Sequence, residues 1–327
     1  MTNDSDTPPA APLAPGMRRL GKVLRVLTGD GDRELTPEQI EKNQRELPSN
    51  WQTNLLIGTS HPDVRSHDRV VSADGYEVPI RIYSPAQPSA SPPLIVNYHG
   101  GGWTVGGLRT SDWFASRVAL HTGAIVVSVG YRLAPRHPFP TGLEDCYAAF
   151  EWAVEHAEEL GADPARVGVM GESAGGNLAT VVAMLARERS GPAIRHQALV
   201  YPVVDGAANT NSYRENAEQV ILTAAGMTRA FDHYVGEHDR LDWRVSPLRA
   251  PSLAGMPSTT LIVAGHDVLR DEGLAYAGAL RAAGVGVTVR EYPAMPHGFI
   301  NFPKFARDAA PAVALLAEGL RTHLTAE

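Results

Sequence analysis

Ser173 stands in Gly171-Glu172-Ser173-Ala174-Gly175, a G-x-S-x-G run whose small residues suit a serine carried on a sharp backbone turn. In a chain with 31 glycines such a pentapeptide is a weak signal by itself. Its flanks make it specific. Arg166 to Met170 reads as a strand directly before it and Asn177 to Leu185 as a helix directly after it. The hydroxyl is therefore expected above the end of a sheet, at the positive end of a helix. A serine so placed can attack an acyl carbon, provided that a base takes its proton and that donors stabilise the charge arriving on the carbonyl oxygen.

Donors are expected from His99-Gly100-Gly101-Gly102-Trp103, which follows the apolar run Leu94 to Tyr98 and whose glycines let backbone N–H groups approach a ligand closely. Gly-rich loops after strands also cradle phosphates, but no G-x-x-x-x-G-K-[ST] follows and the adjacent glycines lack dinucleotide spacing. One donor should come from Ala174, the residue after the nucleophile, and others from the glycine loop. His99 precedes the serine and reads as structural. Acid and base should follow the serine in that order, each just beyond a strand. Of the 12 histidines, His266 and His297 lie in such loops, and only His297 comes after an acid, which makes it the candidate base. Asp267 is the candidate orienting acid. Asp271 and Glu272 compete for that role but suit the first turn of a helix, and Asp205 is a further alternative. Trp103, Leu222 and Phe299 are expected to bind substrate.

These residues need a scaffold. Residues 1–16 carry too little apolar surface to offset the cost of ordering and are expected to form a flexible tail. Met17, Leu20, Val23, Leu24 and Leu27 recur at helical spacing with Arg18, Arg19, Lys22 and Arg25 between them, an amphipathic helix with a basic face. Thr36, Pro37 and Gln39 read as cap, first residue and capping-box partner of a second short helix, which Pro48 stops. Arg69 to Ser72 and Glu77 to Tyr83, joined by Ala73-Asp74-Gly75-Tyr76, read as an antiparallel hairpin. Further strand-like runs are Leu94 to Tyr98, Ala124 to Val129, Arg166 to Met170, Gln197 to Tyr201, Thr259 to Ala264 and Val285 to Tyr292, with helical pattern between most of them. Near-continuous apolar strands alternating with helices predict an α/β fold, a mostly parallel eight-stranded sheet with helices on both faces. Val203 to Leu253 breaks the alternation and is too long for an ordinary connection. The expected organisation is a tail (1–16), N-terminal cap helices (17–52), a catalytic domain (64–202 and 254–327) and a cap insertion (203–253). Apolar side chains of the two cap segments, among them Leu20, Leu24, Trp51, Ile221, Leu222, Phe231 and Tyr234, should face something other than water.

Composition narrows the partners. A net charge of −7 offers no basic surface for nucleic acid. One cysteine, Cys146, excludes an intrachain disulfide, and neither a signal-like apolar stretch nor a membrane-spanning run is seen. A cytoplasmic protein without stable membrane association, monomeric or a homodimer, is the expectation.

Taken together, the elbow, the glycine loop, Tyr131-Arg132-Leu133-Ala134-Pro135 with His137-Pro138-Phe139-Pro140, Asp267-Val268-Leu269-Arg270-Asp271-Glu272-Gly273 and His297-Gly298-Phe299 resemble the bacterial hormone-sensitive-lipase-like (family IV) esterases, over most of the chain from about Val64 onward. The resemblance implies the α/β-hydrolase fold with a helical cap. It also implies a cofactor-free, metal-free serine hydrolase of small short- to medium-chain carboxylic esters, with Gly101, Gly102 and Ala174 as oxyanion donors. Three positions depart from the family's usual wording: Glu172 for Asp, Arg136 for Glu and Val268 for Pro. A non-catalytic receptor is the alternative from another class, since plant gibberellin receptors resemble the same family but lack the triad histidine; His297 is present here. An interfacial lipase and an amidase would use the same residues.

Overall fold

The computed structural model describes residues 11–28, 36–44 and 47–325. Three helices come first: α1 (Pro15–Thr28), α2 (Pro37–Asn43) and α3 (Trp51–Ile57). A hairpin of β1 (Val64–Ala73) and β2 (Tyr76–Pro85) follows. Then β3 (Pro93–Tyr98), α4 (Asp112–Thr122), β4 (Ile125–Val129), α5 (Thr141–Glu155), β5 (Asp163–Glu172), α6 (Ala174–Glu188) and β6 (His196–Val200) alternate. The alternation is interrupted by α7 (Asn211–Glu215) and α8 (Ala224–Val235), and resumes with β7 (Ser258–His266), α9 (Arg270–Ala282), β8 (Val287–Pro296) and α10 (Ala309–Thr325).

All eight strands form one sheet in the order β1-β2-β4-β3-β5-β6-β7-β8. The pairs β1–β2 and β2–β4 are antiparallel and the rest parallel. Every residue of β3, β4 and β6 is buried, which is why these strands read as mainly apolar runs, interrupted by the buried polar side chains of Asn97, Ser128, His196 and Gln197. Successive side chains point to opposite faces. Thus Val96, Val127 and Val263 join a core with α5, α6, α8 and α9, while their neighbours Ile95, Val126 and Ile262 join a second core with α1, α4 and α10.

Several boundaries differ from the sequence expectations for identifiable reasons. β1 runs well beyond Arg69 to Ser72, because β2 pairs it along its whole length although its outer half is polar and exposed. Of the tail expected through Gly16, residues 1–10 lie outside the described residues. The rest is held: α1 begins at Pro15, the Ala14 N–H donates to the Ala294 carbonyl (2.9 Å) and His266 Nε2 to the Ala11 carbonyl (2.7 Å). In α1, Met17 and Leu20 are buried but Val23 points outward. The Leu27 side chain lies outside what is described. The capping box of α2 forms as read, Gln39 N–H to Thr36 Oγ1 and Thr36 N–H to Gln39 Oε1. Helix α3 was not anticipated; its Asn50 cap accepts the Thr53 N–H. Its first residue, Trp51, was expected to face apolar surroundings and instead is 72% exposed.

The insertion lies against both the first helix and the glycine loop. A Cβ added at Gly21 would stand 2.6 Å from Val220 Cβ, and one at Gly102 3.1 Å from Ala230 Cβ. The Trp103 ring stacks on Tyr234 (centroids 4.3 Å apart) and meets Phe231 (5.5 Å), both from α8. From the other side, Gln44 Nε2 donates to the carbonyls of Thr104 (2.9 Å) and Ala134 (2.7 Å). Phe231 is fully buried in this junction. Phe231→Ala is therefore expected to destabilise the protein by about 3–5 kcal/mol in urea denaturation, a loss under about 1 kcal/mol contradicting the packing.

Candidate active site

The serine sits on the turn from β5 into α6. Its backbone has φ 57° and ψ −121°, a sparsely populated conformation that costs about 1–3 kcal/mol and persists where the surroundings over-determine it. Those surroundings are explicit: Ser173 N–H donates to the Val200 carbonyl (2.9 Å), and the Ser173 carbonyl accepts from Asn177 (3.0 Å) and Val203 (3.3 Å). No side chain fits behind it. A Cβ at Gly175 would lie 2.0 Å from the Tyr98 carbonyl oxygen.

Two further loops converge on this hydroxyl. His297, beyond β8, places Nε2 2.8 Å from Ser173 Oγ, and its Nδ1 lies 2.7 Å from Asp267 Oδ2, beyond β7. With Nδ1–H donating to the carboxylate, Nε2 is left as acceptor for the serine proton. Asp267 Oδ1 accepts the Leu269 N–H (2.9 Å), and Asn216 of the insertion donates to the Asp267 carbonyl (3.2 Å). All three side chains are buried or nearly so.

The competing residues lie elsewhere. Asp271 accepts the Ser212 N–H (2.8 Å), and Asp205 pairs with Arg249 (2.6 Å). Glu272 Oε1 accepts the Val204 (2.8 Å) and Asp205 (3.2 Å) N–H groups, and burial pushes its carboxyl well above the usual carboxylate range. His99 stacks on Tyr131 and directs Nδ1 at the Gly100 carbonyl (2.7 Å); burial lowers its pKa to about 4, so it is neutral at pH 7.

Gly101 and Gly102 have φ of 114° and 57°, and the Gly101 carbonyl is turned back to accept from Thr104 (3.1 Å) and Val105 (3.0 Å). Glu172 is buried beneath this loop. Its Oε1 accepts the Gly100 N–H (2.9 Å), and its Oε2 accepts from Asn301 Nδ2 (3.3 Å). Burial raises the Glu172 pKa to about 7, against the opposing effect of those two hydrogen bonds. A cavity of about 340 Å3 opens beside the loop, lined by Gly100, Gly101, Val105, Arg109, Glu172 and Asn301 among others. Trp103, Leu222 and Phe299 are not among its described lining residues. Trp103 and Phe299 are buried in aromatic packing, and Leu222 is half-buried just before α8.

Sequence reasoning did not single out Asn216, Asn301 or Gln44. Asn216 and Gln44 come from other stretches of chain, Asn301 stands four residues beyond His297, and an isolated Asn or Gln carries no pattern that marks it. Among the described residues no group of three or more His, Cys, Asp or Glu is placed to hold a metal ion, and no helix is long and apolar enough to cross a membrane.

Comparison with known proteins agrees with this fold. The model of the α/β-hydrolase fold family matches residues 95–301. Carboxylesterase NlhH of Mycobacterium tuberculosis is 42% identical over 257 residues, covering 77% of this chain and 80% of that protein. The ethyl acetate hydrolase of Pseudomonas putida is 36% identical over 275 residues, covering 83% and 86%. The hyperthermophilic esterase from the archaeon Pyrobaculum calidifontis superposes with a TM-score of 0.85 at 34% identity, covering 95% of this chain and 99% of that one.

The turn gives a steric prediction. Gly175→Ala forces backbone apart and is expected to cost about 3 kcal/mol or more. Gly278→Ala, within α9 with nothing inside 4 Å of the new methyl, is expected to gain about 0.5–1 kcal/mol. Equal unfolding midpoints for the two variants in urea would refute the close approach.

Proposed function

This chain belongs to the α/β-hydrolase fold family, among its hormone-sensitive-lipase-like carboxylic ester hydrolases, and on that premise we propose that it cleaves esters through an acyl-enzyme on Ser173, with His297 as general base and Asp267 as the acid that orients it. The observation that carries the assignment is the continuous hydrogen-bonded chain from Asp267 Oδ2 through His297 to Ser173 Oγ. In this reading Ser173 Oγ bonds to the acyl carbon as His297 Nε2 takes its proton, and the carbonyl oxygen becomes an oxyanion. His297 returns the proton to the departing alcohol. Water, deprotonated by the same nitrogen, then releases the acid and restores the serine.

The oxyanion is assigned to the N–H groups of Gly101, Gly102 and Ala174. Two facts support this. Among the described residues no backbone hydrogen bond takes up the amides of Gly101 or Gly102. Ala174 opens α6, so its N–H has no partner within the helix. Trp103 and Phe299 are assigned to the aromatic packing behind the substrate site and Leu222 to its cap-side border. Its neighbour Ile221 lies 3.2 Å from where a Cβ of Gly298, beside the base, would stand.

Substitutions separate the carboxylates. Asp267→Asn should lower kcat for p-nitrophenyl butyrate about 10^3- to 10^4-fold through the wrong imidazole tautomer, and Asp271→Asn less than about 10-fold. The reverse order would transfer the orienting role to Asp271. Substrate length tests the bounded site. Each acyl methylene contributes up to about 0.8 kcal/mol until the space is filled, so kcat/KM should climb from acetate to butyrate or hexanoate and fall by decanoate. A rise continuing to emulsified long-chain esters would instead mark an interfacial lipase.

A further inference from the structure

The mechanism above leaves Glu172 without a role, although it is buried, adjoins the nucleophile and lines the cavity at the glycine loop. The aim of that loop depends on two successive peptide planes. In the first, the His99 carbonyl accepts the Tyr131 hydroxyl (2.8 Å) and the Gly100 N–H donates to Glu172 Oε1 (2.9 Å). In the second, the Gly100 carbonyl is held by His99 Nδ1 (2.7 Å), so the Gly101 N–H at the plane's other edge is turned the opposite way. Removing the Glu172 contact frees the first plane at its amide edge and leaves the second anchored through one histidine. The fit is close enough to be specific: a Cβ at Gly100 would lie 2.1 Å from Glu172 Oε2. The same oxygen accepts from Asn301, four residues beyond the base, so one carboxyl joins the oxyanion loop, the elbow and the histidine loop.

We propose that Glu172 is a positioning residue of the oxyanion site, whose ionised carboxylate, bonded to the Gly100 N–H and to Asn301, holds the Gly101 and Gly102 amides on the oxygen of the transition state. The proposal rests on the serine-esterase reading and adds to it a requirement for a second carboxylate. A charged acceptor makes the stronger bond to an amide, and a negative charge here also favours the imidazolium formed at His297. Protonation weakens both effects. The Asn301 Oδ1 is buried without a partner, so a turned amide can accept a hydrogen bond from the O–H of a neutral Glu172. The titratable and charged groups around Glu172 are His297, the neutral His99, Tyr131 and Tyr201, whose hydroxyls burial keeps protonated, and Arg109 on the shared cavity. With its pKa raised to about 7, Glu172 loses its charge as pH falls through neutrality.

The test compares Glu172→Gln and Glu172→Ala with the wild type in three readouts: kcat and KM for p-nitrophenyl butyrate, the pH profile of kcat/KM, and affinity for an alkyl trifluoromethyl ketone, whose adduct with serine is an oxyanion. Glu172→Ala should lower kcat about 10^2-fold with KM changed less than about 3-fold, and weaken ketone binding in parallel with kcat/KM. Glu172→Gln keeps an acceptor for Gly100 and should lose only about 3- to 10-fold. Its acid limb should follow one proton, where the wild-type limb steepens toward two. Retention of full kcat by a folded Glu172→Ala protein, or an acid limb for Glu172→Gln that parallels the wild type, overturns the proposal. If Glu172→Ala fails to fold, the Glu172→Gln profile alone decides. Failure of the serine-esterase reading looks different, because the wild type itself would then not bind the ketone.

Discussion

The site depends on one backbone approach: the turn after β5 passes directly against the end of β3, with no room for a side chain at Gly175 beside the Tyr98 carbonyl. These strands are parallel neighbours, with Tyr98 opposite Gly171, so the loops that leave them start side by side. One carries the glycine amides and the other the serine. The same logic places Asp267 and His297. β7 and β8 pair His266 with Pro296, and the next residues on each strand are Asp267 and His297. A register shift between Ala264 and His266 lets the two strands end together, and His297 N–H reaches back to the His266 carbonyl (3.4 Å). All the groups assigned to the reaction thus stand at the carboxyl ends of parallel strands, where an open α/β sheet offers its crevice.

The insertion between β6 and β7 is joined to this platform by polar contacts. Ser212 donates its hydroxyl to the Val268 carbonyl (2.6 Å), Asp271 accepts the Ser212 N–H, Glu272 accepts two amides at Val204 and Asp205, and Asn216 reaches the Asp267 carbonyl. The two carboxylates that competed with Asp267 on paper are therefore joints that fix the start of the insertion to the first turn of α9. Aromatic packing of Trp103 against α8 fixes its far side to the glycine loop. The insertion is thus tied at both ends to the residues that would handle the reaction.

The sheet was legible because burial on both faces leaves its central strands mainly apolar, and the order Ser173, Asp267, His297 could be read because a strand end precedes each of them. Other features left no such trace. The outer half of β1 is polar, so only pairing with β2 reveals it as strand. Val23 and Trp51 read as apolar positions of cap helices yet face outward, since periodicity marks a face without saying what covers it. The preference for Asp267 over Asp271 rests on distance from a strand end and on the place of Asp271 in the first turn of α9. By contrast, the partners of Glu172, at Gly100 and Asn301, lie 72 and 129 residues away in the chain and appear only once the loops are assembled.

The central claim, that Ser173 is the group that forms the covalent bond, is tested most directly by stoichiometric labelling. Incubation with a diethyl phosphoryl ester followed by intact-mass and peptide analysis should show one adduct per chain, on Ser173, with esterase activity lost in proportion to labelling. An adduct on any other residue, or activity that survives complete modification of Ser173, would contradict the account.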